Sequence, residues 1–212
     1  MKEFFKNLFW SKFISGINGA AKKVAFIGML MALSVISNMF FEFKMLDTQF
    51  SLTITVSAVI GFIAGPICGA GICFLGDLLG FFVNSGGYAY MPWVGLSTAA
   101  FAFIAGLLSM KKSGGAIAYA KIGAFTVLSL LICTIGINSL GFYLYNMNLG
   151  FSPAVKAYVA ELFGGEQVTF LGYVAYRLIF KLQILNNVFN YAVIFVLYAV
   201  ASKIKPLEKV FE

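Results

Sequence analysis

Long apolar runs, broken by short polar or basic stretches, dominate this chain. Val24 to Phe41 carries no charge and is long enough for one bilayer crossing, which takes about 20 residues. Leu52 to Gly65 and Ile67 to Val83 follow, separated only by Pro66. Unbroken, that stretch is too long for one crossing. The missing amide of Pro66, between Gly65 and Gly69, predicts a turn between two helices. The fourth run is Pro92 to Met110, with Pro92 suited to a first turn. Ile122 to Tyr145 is the fifth, and about Gly172 to Ala201 the sixth. The pattern predicts an all-α membrane protein, a six-transmembrane-helix bundle. Five crossings with a re-entrant segment at Pro66 is the alternative.

Residues 1–23 differ from the rest. Phe5, Leu8, Phe9, Lys12 and Phe13 recur at helical spacing among Lys2, Lys6, Lys22 and Lys23. That is a basic amphipathic segment suited to the inner membrane surface, followed by a single membrane domain over 24–212. A cleaved signal peptide fits less well, because no small-x-small site closes the first run.

Composition supports the bilayer as solvent: 61% of the 212 residues are hydrophobic and 11% charged, against about 25% charged in soluble domains. The net charge of +7 is not a nucleic-acid stripe, because the cations cluster at the ends of apolar runs. Eleven lie on one side: Lys2, Lys6, Lys12, Lys22, Lys23, Lys111, Lys112, Lys121, Lys203, Lys205 and Lys209. Lys44 and Lys156 stand alone on the other, beside Glu42, Asp47, Glu161 and Glu166. Both termini are therefore expected in the cytoplasm, which requires an even number of crossings. Histidine is absent, which removes imidazole-based nucleophile systems and metal sites. Cys68, Cys73 and Cys133 sit in apolar runs as packing residues.

Polar groups inside the runs are the candidates for function, since burying charge in hydrocarbon is costly. Asp77 is the only acid within a predicted helix, about 15 Å from its Pro66 end at 1.5 Å per residue. It reads either as paired to a neighbouring cation or as part of a site. Arg177 and Lys181 share a helical face, and counting 20 residues back from Ala201 puts the hydrocarbon boundary near Leu182. They either snorkel to the interface or clamp an anion, a task suited to the planar fork of Arg. Asn38, Asn84 and Asn138 fall near the outer ends of their helices, with Asn187 and Asn190 nearer the middle of the last. Tyr88, Tyr90 and Trp93 form either an interfacial belt or the walls of a pocket for a flat ligand. Ala21, Ala25, Gly28 and Ala32 make a small-residue ridge on the first helix. It packs the bundle if it faces inward and docks a partner if it faces outward. Nucleotide-binding loops are missing, so an energy-coupled pump needs a partner.

These residues resemble the substrate-binding S components of energy-coupling-factor (ECF) vitamin transporters. Gly28-Met29-Leu30-Met31-Ala32 is similar to that family's Ala-x-x-x-Ala element, with Gly in the first place. Gly65-Pro66-Ile67-Cys68-Gly69-Ala70, Gly76-Asp77-Leu78-Leu79-Gly80, Pro92-Trp93-Val94-Gly95-Leu96-Ser97 and Tyr176-Arg177-Leu178 resemble the folate-type members. Ile184-Leu185-Asn186-Asn187 stands where those members carry a proline.

The resemblance implies binding without chemistry and without a cofactor, in a prokaryotic plasma membrane. The subunit captures a vitamin outside, docks on a transmembrane coupling subunit bearing two ATPases, and topples to release it. Ala25, Gly28 and Ala32 are then the docking residues. Folate is the expected ligand: a flat pterin for the aromatic walls, N–H groups for Asp77 and the asparagines, and carboxylates for Arg177 and Lys181. Riboflavin, thiamin, pantothenate and a pyrimidine or pyridoxine precursor are the alternatives. An intramembrane enzyme at Asp77 lacks a second catalytic group, and a channel would need polar rings through its full depth.

Overall fold

The computed structural model describes residues 7–40, 42–45, 48–83, 89–110, 115–165 and 167–201. In chain order the helices are α1 (Lys12–Gly16), α2 (Ala20–Phe40), α3 (Thr53–Ala64), α4 (Pro66–Val83) and α5 (Pro92–Ser109). Then come α6 (Ala116–Leu149), α7 (Pro153–Phe163), α8 (Phe170–Phe180) and α9 (Gln183–Ala201). Strands β1 (Glu42–Met45) and β2 (Thr48–Ser51) pair antiparallel between α2 and α3, with Glu42 opposite Ser51. Among the described residues, five helices are long and apolar enough to cross a membrane: α2, α4, α5, α6 and α9.

The turn expected at Pro66 is present. Gly65 adopts φ 94°, a backbone open to glycine, and Pro66 opens α4. With twelve residues, α3 is about 18 Å long at 1.5 Å per residue, short of a bilayer's hydrocarbon thickness.

Four features depart from the sequence reading. The hairpin breaks the all-α expectation: Glu42-Phe43-Lys44-Met45 alternates polar and apolar, the period of a strand, and it pairs with Thr48-Gln49-Phe50-Ser51, whose one apolar residue is Phe50. α7 stands where no helix is expected, opened by Pro153 and closed by Gly164 in the left-handed conformation. The fifth run extends to 34 residues and is π-helical over Ser129–Ser139. The sixth run is not one helix. It breaks at Lys181–Leu182, where Leu182 takes φ 49°, and its first part ends in a π-turn over Tyr176–Phe180.

Packing centres on α5, half of whose span is buried, whereas α2 is only 17% buried and lies at the edge. One core joins α3, α5, α6 and α9 through Ile54, Phe101, Ile104, Phe125 and Tyr191. A second joins α2, α3, α4 and α5 through Leu30, Ile60, Ile72 and Ala102. The third gathers Val155, Val159, Tyr173 and Tyr176 around α7 and α8.

Glycine sets the α3–α5 approach, because a Cβ at Gly61 would run into the backbone of Ala102. Gly61→Leu is therefore expected to destabilise the bundle by about 1–3 kcal/mol, the usual cost of overpacking. Gly123→Ala, where a Cβ meets nothing within 4 Å, should leave it unchanged. Thermal unfolding of the two variants in detergent, followed by circular dichroism, checks the contrast.

Candidate functional site

Asp77 projects from the middle of α4 toward α2 and the start of α5. The Asn38 amide donates to its Oδ1 at 3.4 Å, and the Tyr90 hydroxyl donates to its Oδ2 at 3.2 Å. Thr53 in turn donates to Asn38 Oδ1 at 3.2 Å. These partners are neutral, so the cation considered as a partner for Asp77 is replaced by two dipoles. Burial first, then the neighbouring Asp77 charge, pushes the Tyr90 phenol up to about 12. It therefore remains a proton donor at neutral pH. Gly95 makes this cluster possible, because a Cβ there would collide with the Tyr90 hydroxyl and the Asp77 carboxylate.

Arg177 lies in the π-turn of α8. Its guanidinium donates to Ser139 Oγ at 3.4 Å and covers the Phe142 ring at 4.5 Å from the centroid. Both partners are uncharged. Phe142 packs edge-on against Trp93 at 5.7 Å, and Tyr145 lies 5.5 Å from the same indole. Gly141 leaves room for the indole, since a Cβ there would enter it. Lys181 caps the same π-turn, so the two cations stand at a helix end rather than along one continuous helix.

Trp93 and Gly95 are two residues apart, about 200° around a helix. They face opposite sides of α5. Asp77 and Arg177 therefore belong to two clusters on either side of the α5 N-terminus.

The asparagines divide by role. Asn190 Oδ1 accepts from the Thr55 amide at 3.0 Å and the Thr55 hydroxyl at 2.8 Å, and its Nδ2 donates to the Ser51 carbonyl at 2.7 Å. Asn186 Oδ1 accepts from the Ser51 amide at 3.0 Å. Helix α9 thus supplies from a distance the N-terminal cap that Leu52 cannot give α3.

Asn187 turns the other way and donates to Thr134 Oγ1 at 3.3 Å. Its Oδ1, together with Asn138 Oδ1 and Trp93 Nε1, is buried without a hydrogen-bond partner among the described residues. Unpaired buried polar atoms are rare in native proteins. Two acceptors and a donor near the cationic, aromatic Arg177 cluster are what a polar flat ligand would engage.

Asn84 and Tyr88 lie outside the described residues. Ser139 and Phe142, the partners of Arg177, were not singled out from sequence; the polar pair Asn138-Ser139 in an apolar run was the available signal. The ridge faces out: Ala21, Ala25, Gly28 and Ala32 are all exposed, and a Cβ at Gly28 would meet nothing within 4 Å. The opposite face of α2 packs the bundle, with Leu30, Ser34 and Ser37 buried.

No curated protein sequence matches the chain. Among solved structures, the crystal structure of FolT bound with folic acid has a similar fold, with a TM-score of 0.57 at 19% identity. That likeness covers 82% of this chain and 91% of FolT. A family model for the S component of ECF-type riboflavin transporters matches residues 18–183. With most of its length matched, the chain belongs to the family of ECF-type riboflavin transporter S components.

Proposed function

We propose that this multi-pass membrane protein is the folate-capturing subunit of an ECF importer. The family is one of transporter subunits, so the chain is not an enzyme. The observation that carries the ligand is Arg177, held against Phe142 and Ser139, which are both uncharged partners among the described residues. A ligand carboxylate supplies the missing counter-charge bidentately, with Lys181 as the second cation. Trp93, Phe142 and Tyr145 give aromatic surface, and Asn138 and Asn187 give acceptors for ring N–H groups. Asp77, Asn38 and Tyr90 form the second cluster, on the other side of the α5 N-terminus, and Asn84 and Tyr88 join the proposed ligand set from sequence alone.

The chain crosses the membrane six times in this reading, α3 being the short crossing, with both termini in the cytoplasm of a prokaryotic cell. The exposed ridge of Ala25, Gly28 and Ala32 docks the coupling subunit, whose two ATPases supply the energy.

A second ligand, riboflavin, is favoured by the family match. Riboflavin is uncharged; it would engage Asn138, Asn187 and Trp93 and leave Arg177 as a packing cation. Titration calorimetry of the purified subunit against folate, riboflavin, thiamin and pantothenate decides between them. Tight folate binding is the expected result. Tight riboflavin binding with no folate signal would replace the ligand and dissolve the anion clamp.

A further inference from the structure

The segment before α2 does more than lie beside the bundle. The Ser11 amide donates to the Ala64 carbonyl at 3.0 Å, and its hydroxyl donates to the carbonyl of Ile63 and accepts from the Ile14 amide at 3.1 Å. These carbonyls end α3, where a helix leaves its last acceptors unsatisfied. Ile14 is fully buried, and Gly65 has no room for a Cβ because Ser11 and Trp10 press against it. The segment is therefore a fitted cap on the α3–α4 turn. Its other face is open: Phe9, Trp10 and Phe13 are 52%, 38% and 37% exposed.

The Phe13 ring meets Phe26 at 5.3 Å, so α1, with exposed Lys12, packs near the start of α2. Lys22 and Lys23 lie there, one turn before Phe26. No acid occurs anywhere from Asn7 to Phe41. We propose that residues 9–23 form an anionic-phospholipid site, in which Phe9, Trp10 and Phe13 enter the acyl boundary and Lys12, Lys22 and Lys23 hold the headgroup. Exposed aromatics beside the lysines of an acid-free segment, at a span's end, have the chemistry of that boundary, apolar below and negative above. A protein partner would need acids placed to match, whereas an anionic leaflet offers charge everywhere. The proposal rests on the membrane-subunit reading and is independent of which vitamin is bound.

The chain has two tryptophans, Trp10 and Trp93, so a Trp93→Phe background isolates Trp10 fluorescence. The protein is placed in nanodiscs of equimolar phosphatidylcholine and phosphatidylglycerol, with one or the other lipid brominated as quencher. Brominated phosphatidylglycerol is expected to quench Trp10 at a concentration about fivefold lower than brominated phosphatidylcholine, the equivalent of one surface lysine. The preference should vanish when Lys12, Lys22 and Lys23 are changed together to Gln. Equal quenching by both lipids, or a preference that survives the triple change, overturns the site. Absence of quenching by either lipid also overturns it, because Trp10 then lies outside the acyl boundary.

Discussion

Arg177→Ala is expected to weaken folate binding by at least about 10- to 150-fold, the value of one charge-assisted hydrogen bond of the bidentate pair at about 1.5–3 kcal/mol. Arg177 has a particular place in the site. Its two described partners, a hydroxyl and an aromatic ring, hold the guanidinium without neutralising it. The charge is therefore available to a ligand. Lys181→Ala should cost less, because an ammonium at a helix end presents a point charge rather than a fork. Arg177→Lys separates the two contributions: it keeps the charge over Phe142 but forfeits bidentate geometry, so affinity should fall between wild type and Arg177→Ala. Calorimetry reads all three. Unchanged folate affinity in Arg177→Ala, with the protein folded, would remove the clamp.

Changing Gly28 and Ala32 together to Leu is expected to abolish vitamin uptake in cells while leaving binding by the isolated subunit intact. Both positions are exposed, and nothing inside the bundle lies within 4 Å of a Cβ at Gly28. Bulk added there fills only the space that a partner helix would occupy, where small residues permit close approach. Uptake assays paired with calorimetry separate the outcomes. Loss of binding and uptake together would mean that α2 has shifted within its own bundle.

How much of this was legible in the sequence follows from the range of each interaction. The Pro66 turn was readable because proline and glycine act on their own backbone. The break of the last run at Lys181–Leu182 was not, because Leu182 takes φ 49° with no glycine or proline to mark it. The hairpin was missed because only the four residues of β1 alternate, too short a pattern to stand out beside 20-residue runs. The π-helical stretch was invisible for a different reason, since apolar residues look alike whether wound at i−4 or i−5.

The site was half legible. Asp77, Arg177 and the asparagines stood out as polar groups in apolar runs. Their partners did not, because Asp77 meets Asn38 across 39 residues and Asn190 meets Thr55 across 135. That Asp77 and Arg177 lie on opposite sides of α5 depended on which way Trp93 and Gly95 face, a matter of tertiary placement. The ridge is a similar case: its composition was plain, but whether it faced in or out was not.

The π-helical stretch of α6 has a consequence for how the molecule holds both of its ends in register. Below it, Phe125 is fully buried and meets Tyr191 at 6.3 Å. Above it, Phe142 meets Trp93 and carries Arg177. A uniform α-helix would tie the directions of these two aromatics rigidly together, at 100° per residue. Wider winding over Ser129–Ser139 acts as a vernier between them. Each end can be rotated into its own partner without turning the other, so the lower half can stay locked in the core while the upper half is set against Trp93 and Arg177.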